Sequence, residues 1–210
     1  MIIHNQTPRY IFVAVPKTGT TTIQNFIKDN HVLPHLTQKA CKWLTRDYHC
    51  SISEILTKYP VDDSDKYFKF AFHRNPWDRM VSFYHDYTTD NLHLSWSSDM
   101  LEYKNFETFV INFEDSQWRN HKNFKPTVEY THENGKQIVD KIGIYENFSN
   151  DIKYCLNKIG LSYEKFLHTK KLRRAPREKN YKKYYTNEKM IQAVADSFAE
   201  DIKLFGDKFD

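Results

Sequence analysis

Apolar positions along this chain change their spacing in a regular way, and the changes locate its elements. Tyr10 to Val15 is a continuous, β-rich apolar run that stops at Pro16. After Lys17, Thr18, Gly19 and three threonines, apolar residues recur at Ile23, Phe26 and Ile27. A continuous run followed by i, i+3, i+4 spacing predicts strand, tight turn and helix start. Tyr67 to Phe72, rich in aromatics, reads as a second buried strand. Behind it Asn75 is a good N-cap, Pro76 suits the first helical position, and Met80, Phe83, Tyr84 and Tyr87 form the apolar stripe of a helix. Ile138 to Tyr145 predicts a third strand, and a helix from about Asn150 to Ile159 closes at Gly160. Short helices are expected within 47–60 and over Phe106 to Phe113. A last helix starts near Thr186 or Asn187 and buries Met190, Ile191, Val194, Phe198, Ile202 and Phe205. Strands alternating with helices predict an α/β fold.

Both strand-to-helix switches carry groups suited to anions. Gly19 allows close backbone approach, Lys17 brings a full charge, and Thr20, Thr21 and Thr22 bring hydroxyls to a helix N-terminus whose N–H groups lack partners. The nucleotide-binding pattern G-x-x-x-x-G-K-[ST] is not matched, because Lys17 precedes the glycine. At the second switch Arg74 reaches the same place as Ser82, a fork and a hydroxyl that suit phosphate. The two units stand about 60 residues apart, as a nucleotide site in an open α/β sheet requires. The alternative is that Arg74 and Arg79 pair with acids such as Asp78 and Asp86, a reading that for Arg79 stands at least level with ligand contact.

With 210 residues the chain suits one domain spanning 1–210. Aromatics reach 16%, which predicts a core packed largely by rings. No stretch approaches the ~18 apolar residues of a membrane span, and the start, MIIHNQTPRY, is no signal peptide. Cys41, Cys50 and Cys155 show no CxxC spacing and read as thiols of a reducing, cytoplasmic compartment. The net charge of +4 conceals a basic loop at 165–183, where nine basic residues meet one acid. The remainder is therefore net acidic, which argues against nucleic acid as partner. Residues 88–135 are polar with scattered Trp and His, and read as an insertion that shapes an acceptor site.

These motifs together give the chain a resemblance to PAPS-dependent sulfotransferases, particularly the carbohydrate branch and its compact bacterial relatives. Pro16-Lys17-Thr18-Gly19-Thr20-Thr21-Thr22 looks like that family's 5′-phosphosulfate loop. Arg74 through Tyr84 looks like its 3′-phosphate motif R-x-P-x-x-R-x-x-S-x-Y. Tyr145-Glu146-Asn147-Phe148 and the tail from Tyr184 to Gly206 are similar to the compact members. The resemblance implies a P-loop-like three-layer α/β/α fold with a central, mostly parallel sheet. It implies transfer of a sulfuryl group from PAPS (3′-phosphoadenosine 5′-phosphosulfate) to a hydroxyl, with the bisphosphate PAP as product and no metal. Lys17 would hold the phosphosulfate, Thr18 to Thr22 would cradle the 5′-phosphate, and Arg74 and Ser82 would bind the 3′-phosphate. The Arg-Lys-Gly motif of the small-molecule branch is absent, and Arg173 and Arg174 stand as its substitutes.

Attack by a hydroxyl requires a base. His35, in His35-Leu-Thr-Gln-Lys39, best matches the histidine of compact relatives, with His31 and His132 in reserve. His73 reads as buried and structural at the strand end, and Trp77 as packing against the sheet. Trp96 and Trp118 suit either a sugar platform or the core. The acceptor class is a glycan or similar hydroxyl compound. Two other classes remain open on the sequence: a P-loop-type nucleotide or small-molecule kinase, and a non-enzymatic polyanion-binding module built on 165–183.

Overall fold

The protein, seen in a computed structural model, is described over residues 2–4, 7–31, 41–43, 49–90, 102–169 and 177–209. The two apolar runs read as strands lie side by side. β2 (Tyr10–Phe12) pairs in parallel with β4 (Phe68–His73), Tyr10 opposite Phe68, and β4 pairs in parallel with β7 (Lys141–Ile144), His73 opposite Ile144. β1 (Ile2–His4) runs antiparallel to β2 and to β3 (Cys41–Trp43), giving the order β3–β1–β2–β4–β7. Among the described residues, β1 is therefore the one reversed strand of a mostly parallel sheet in a mixed α/β fold. β2 is shorter than the apolar run predicts. Val13 still donates to the Phe70 carbonyl at 2.9 Å, but Val15 N–H turns back to the Val13 carbonyl at 3.1 Å, so the chain leaves the ladder before Pro16. A separate hairpin, β5 (His132–Glu133) and β6 (Lys136–Gln137), turns through Asn134 and Gly135, both at positive φ, the Asn-Gly pair that two-residue hairpin turns favour.

The chain divides into two compact units, 1–73 with 127–172 and 74–126 with 173–210. In the first unit, alternation along the strands sends side chains to opposite faces. Tyr10, Phe12, Phe70 and Phe72 pack against Ile23, Phe26 and Ile27 of α1 (Thr20–His31), together with Ile152, Cys155 and Leu156 of a later helix (Phe148–Lys158). Ile11, Val13 and Ala71 pack on the other side with Ile52 and Ile55 of α2 (Ile52–Lys58) and with Tyr130. Burial pushes the Cys155 thiol pKa up to about 12, which makes it an inert packing group.

The second unit contains α3 (Pro76–His85), α4 (Phe106–Ile111) and two C-terminal helices, Glu188–Ser197 and Ala199–Phe205. Its core is a nest of rings, including Trp77, Phe83, Tyr87, Phe109, Phe113, Trp118 and Phe124. The described part of the polar-looking 88–135 stretch thus supplies core. Trp118 is 2% exposed among Tyr87 and Phe124, so its place is packing, not a sugar platform. Rings spaced without a period leave no strand or helix signature, which is why this contribution was illegible. The predicted final helix breaks at buried Phe198 (φ −121, ψ 27), and beyond the break Ile202 and Phe205 are only half-buried.

Gly143, in β7, is closely packed. A Cβ there would lie 2.5 Å from Phe72 Cε1 and 3.0 Å from the Asp151 Cβ. Gly143→Ala is therefore expected to cost about 1–3 kcal/mol in urea unfolding; an unchanged midpoint would show that the Phe72 ring swings clear.

Candidate active site

The turn between β2 and α1 holds its shape by backbone conformation. Lys17 and Gly19 both take left-handed conformations, φ 64 and φ 81, while the Pro16 ring fixes its own φ negative. For the lysine this costs on the order of 1 kcal/mol or more, strain of the kind that gathers at binding sites. Thr18 is fully buried, and its hydroxyl donates to the Val15 carbonyl at 2.9 Å. The Gly19 carbonyl accepts from Thr22 and Ile23 N–H at 3.1 and 3.2 Å, so α1 begins directly after it. The N–H groups ahead of Thr22 precede the first carbonyl of the helical ladder, and alternating backbone hand turns successive N–H groups toward one side, the form of an anion-binding concavity. Lys17, Thr18, Gly19, Thr20, Thr21 and Thr22 are thus brought together in one loop, with Lys17, Thr21 and Thr22 half-buried.

Two rings hold that loop from beneath. A Cβ placed on Gly19 would meet Phe148 Cε2 at 3.3 Å and Tyr145 Cε2 at 3.4 Å. Phe148 in turn packs on Phe72, ring centroids 5.1 Å apart, and on Phe166. The segment Tyr145-Glu146-Asn147-Phe148, matched in the sequence without a role, is a buttress for the loop glycine.

In the second unit, the start of α3 is capped as read: the Asn75 side chain accepts from Trp77 and Asp78 N–H, and Pro76 stands at the first position. Arg74, 5% exposed, donates through Nε and Nη2 to Asp78 Oδ2 at 2.8 and 2.6 Å. The other oxygen of Asp78 accepts from Arg177 Nη2 at 2.8 Å. Ser82 is half-buried, one turn beyond Asp78 on the same helix face. Arg79 belongs to a different environment. It is fully buried, donates to the Lys125 carbonyl at 2.9 Å, lies 4.0 Å from Asp201 and sits over the Phe83 and Phe198 rings. Of the two acid partners foreseen for these arginines, Asp78 takes Arg74, while Arg79 lies within ion-pair distance of an acid the sequence did not single out, Asp201.

His73 is fully buried at the end of β4, its Nδ1 2.9 Å from the Thr127 hydroxyl, in keeping with a structural role. Trp77 is 4% exposed and donates to the Ile191 carbonyl at 2.9 Å, also as packing. His132 is half-buried beside the Thr131 hydroxyl at 2.9 Å. His31 closes α1, and its side chain lies outside the described set. His35, Lys39, Trp96, Arg173 and Arg174 lie outside the described residues. Sequence reasoning missed Arg177 and the doubly used Asp78; Arg177 stood in the basic block, but nothing in the spacing singled it out from eight neighbours of the same charge. Among the described residues, no group of three or more His, Cys, Asp or Glu is placed to hold a metal ion. No described helix is long and apolar enough to cross a membrane.

Two histidines of this unit titrate abnormally. Burial, and then the positive charge of Arg177, hold the His85 pKa below its ordinary value; burial, and then Lys122, do the same for His121. Each folded-state pKa is depressed, so the unfolded chain binds the protons first. Stability is complete above the usual histidine pKa of about 6.5 and is lost as pH falls through the lower folded values. Thermal melts from pH about 7.5 to about 5.5 should show a falling midpoint, and the fall should shrink in the double variant His85→Gln/His121→Gln. An identical fall in that variant would assign the effect to other groups.

Comparison with known proteins agrees with the geometry of the loop. The model of the Sulfotransferase family matches residues 1–209. An uncharacterized protein of Archaeoglobus fulgidus is 36% identical over 100 residues, which cover 48% of this chain and 73% of that protein. No solved structure matches. A match along nearly the whole length, through a strand–loop–helix that presents a lysine and a helix N-terminus, places this chain in the sulfotransferase family.

Proposed function

We propose that the protein is a PAPS-dependent sulfotransferase that acts on a hydroxyl of a carbohydrate or similar acceptor, with residues 1–210 serving one P-loop-like α/β/α catalytic domain. The observation that carries the reading is the loop from Lys17 to Thr22: a cation, two left-handed residues and a helix start, with the lysine ahead of the glycine. Its donor groups fit a phosphosulfate, because N–H groups and an ammonium offer fixed positive charge to oxygen atoms and nothing to an apolar ligand.

In this reading the acceptor oxygen attacks sulfur in line. A new S–O bond forms as the bond from sulfur to the bridging phosphate oxygen breaks, and the bisphosphate departs. Lys17 neutralises charge on that departing oxygen. The backbone of Thr18 to Thr22 and the Thr20 and Thr21 hydroxyls hold the 5′-phosphate, and Arg74 and Ser82 take the 3′-phosphate, joined by Arg174 from the basic loop. His35 receives the acceptor proton. Catalysis then rests on positioning and on electrostatics arranged before the reaction begins, which suits transfer of a highly charged group.

The experiment is ligand-induced thermal stabilisation. Adenosine 3′,5′-bisphosphate without metal is expected to raise the melting temperature, and ATP with Mg²⁺ to raise it less. Lys17→Ala and Arg74→Ala should each weaken bisphosphate binding about tenfold to a hundredfold, the worth of a charged hydrogen bond. A response to ATP with Mg²⁺ alone would overturn the donor assignment. His35→Ala is expected to abolish transfer while donor affinity stays within about twofold; undiminished turnover would remove His35 as the base.

A further inference from the structure

Parallel pairing of β2, β4 and β7 gives the sheet of the first unit two unlike ends. The Lys17 loop follows the C-terminal end of β2. At the other end, where β4 and β7 begin, a surface depression is lined by Asp65, Lys66, Phe68, Asp140, Tyr154 and Lys158. β4 is six residues long, so at ~3.3 Å per residue the two places lie about 20 Å apart. None of these six residues belongs to the motifs that carry the family resemblance, and the donor chemistry proposed above leaves them unused.

Tyr154, on the helix Phe148–Lys158, is 46% exposed. A single exposed ring is ordinary, but this one is braced. Its ring meets Phe68 edge-on, with centroids 6.2 Å apart at 67°. Lys141 Nζ stands 5.9 Å from its centroid and is itself fixed to Asp151 at 2.7 Å. Lys158, one turn along the helix, lies 5.6 Å from the centroid and makes no ion pair among the described residues. A ring held in place beforehand loses little further freedom when a ligand covers it.

The polar groups around the ring select the ligand. Asp140 uses Oδ2 to accept from Lys69 N–H at 2.7 Å, and Asp65 is exposed. An ionised carboxylate offers about four acceptor positions, so most of theirs remain. They call for donors and repel an anion. The ammonium groups of Lys158 and of Lys66, which pairs with Asp63 at 2.7 Å, offer further N–H donors and repel a cation. A neutral polyol with one apolar face satisfies all of these: its hydroxyls donate to the carboxylates and accept from the ammonium groups, and its C–H face lies on the ring. A pyranose has that form.

We propose that this depression is a saccharide subsite, remote from the loop, that takes a neutral pyranose unit against Tyr154. The proposal rests on the glycan-acceptor reading above for its purpose, which is to hold an acceptor chain at a second point about one strand length away. Binding of the sugar does not itself depend on the donor. The competing role is plain solvated surface, on which Tyr154 does no more than cover Phe68.

Amide chemical shifts of the isotope-labelled protein, titrated with cellohexaose, maltohexaose and chitohexaose to about 10 mM, separate these roles. At least one of the three is expected to move the amides of 65–68, 140–142 and 154–158. Tyr154→Ala, at an exposed position, should weaken that binding about tenfold, while Tyr154→Phe, which keeps the ring, should stay within about twofold. If none of the three moves these amides, or if Tyr154→Ala binds as tightly as wild type, the subsite is overturned. Stabilisation by adenosine 3′,5′-bisphosphate in that case leaves the sulfotransferase reading standing. Shifts around Tyr154 in a protein that the bisphosphate does not stabilise would uphold the subsite and remove the donor reading instead.

Discussion

Tyr10, Phe12, Phe70 and Phe72 project to one face of the sheet while Ile11, Val13 and Ala71 project to the other, and neither face can remain in contact with water. Each large side chain taken from water is worth about 1.5–3 kcal/mol, so the first unit is stable only with helices on both sides. That requirement fixes what happens at the strand ends. A parallel strand must hand the chain to a crossover helix, and β2 does so through the turn at Pro16 to Gly19. The loop is where it is because the sheet is two-sided.

The strain in that loop is affordable on the same scale. A left-handed lysine costs on the order of 1–3 kcal/mol, less than two or three of the buried rings return. The rings do more than compensate, because Tyr145 and Phe148 stand close against Gly19, where an added Cβ would already be in tight contact at 3.3 Å. Core packing is thereby continuous with the geometry of the loop: Phe72 in the sheet touches Phe148, and Phe148 touches the loop glycine. A change in the aromatic layer would be transmitted to the backbone of that loop.

Much of this was legible in the chain. The α/β class, both strand-to-helix switches, the Asn75 cap and the loop residues follow from apolar spacing and from turn chemistry, which act over a few residues. The second unit was the poorly legible part. Its rings are scattered from Trp77 to Phe198 and meet only after folding, so no window of sequence contains their pattern. Arg74 and Arg79 make the same point within one helix. They are the same residue type five positions apart, yet Arg74 pairs with Asp78 at the helix entry while Arg79 is sealed between Lys125 and Asp201.

What the sequence determined by itself is what short-range physics can enforce: strand and helix periods, the cap at Asn75, and the Pro16 to Thr22 turn with its lysine ahead of its glycine. Tertiary structure alone decided which charges meet. Asp78 was legible as a helix-entry acid, but its sharing between Arg74 and Arg177 joins positions 99 and more apart, and the pairing of Arg79 with Asp201 spans a longer separation still. An ion pair depends on distance and burial, and neither quantity is written in the order of residues.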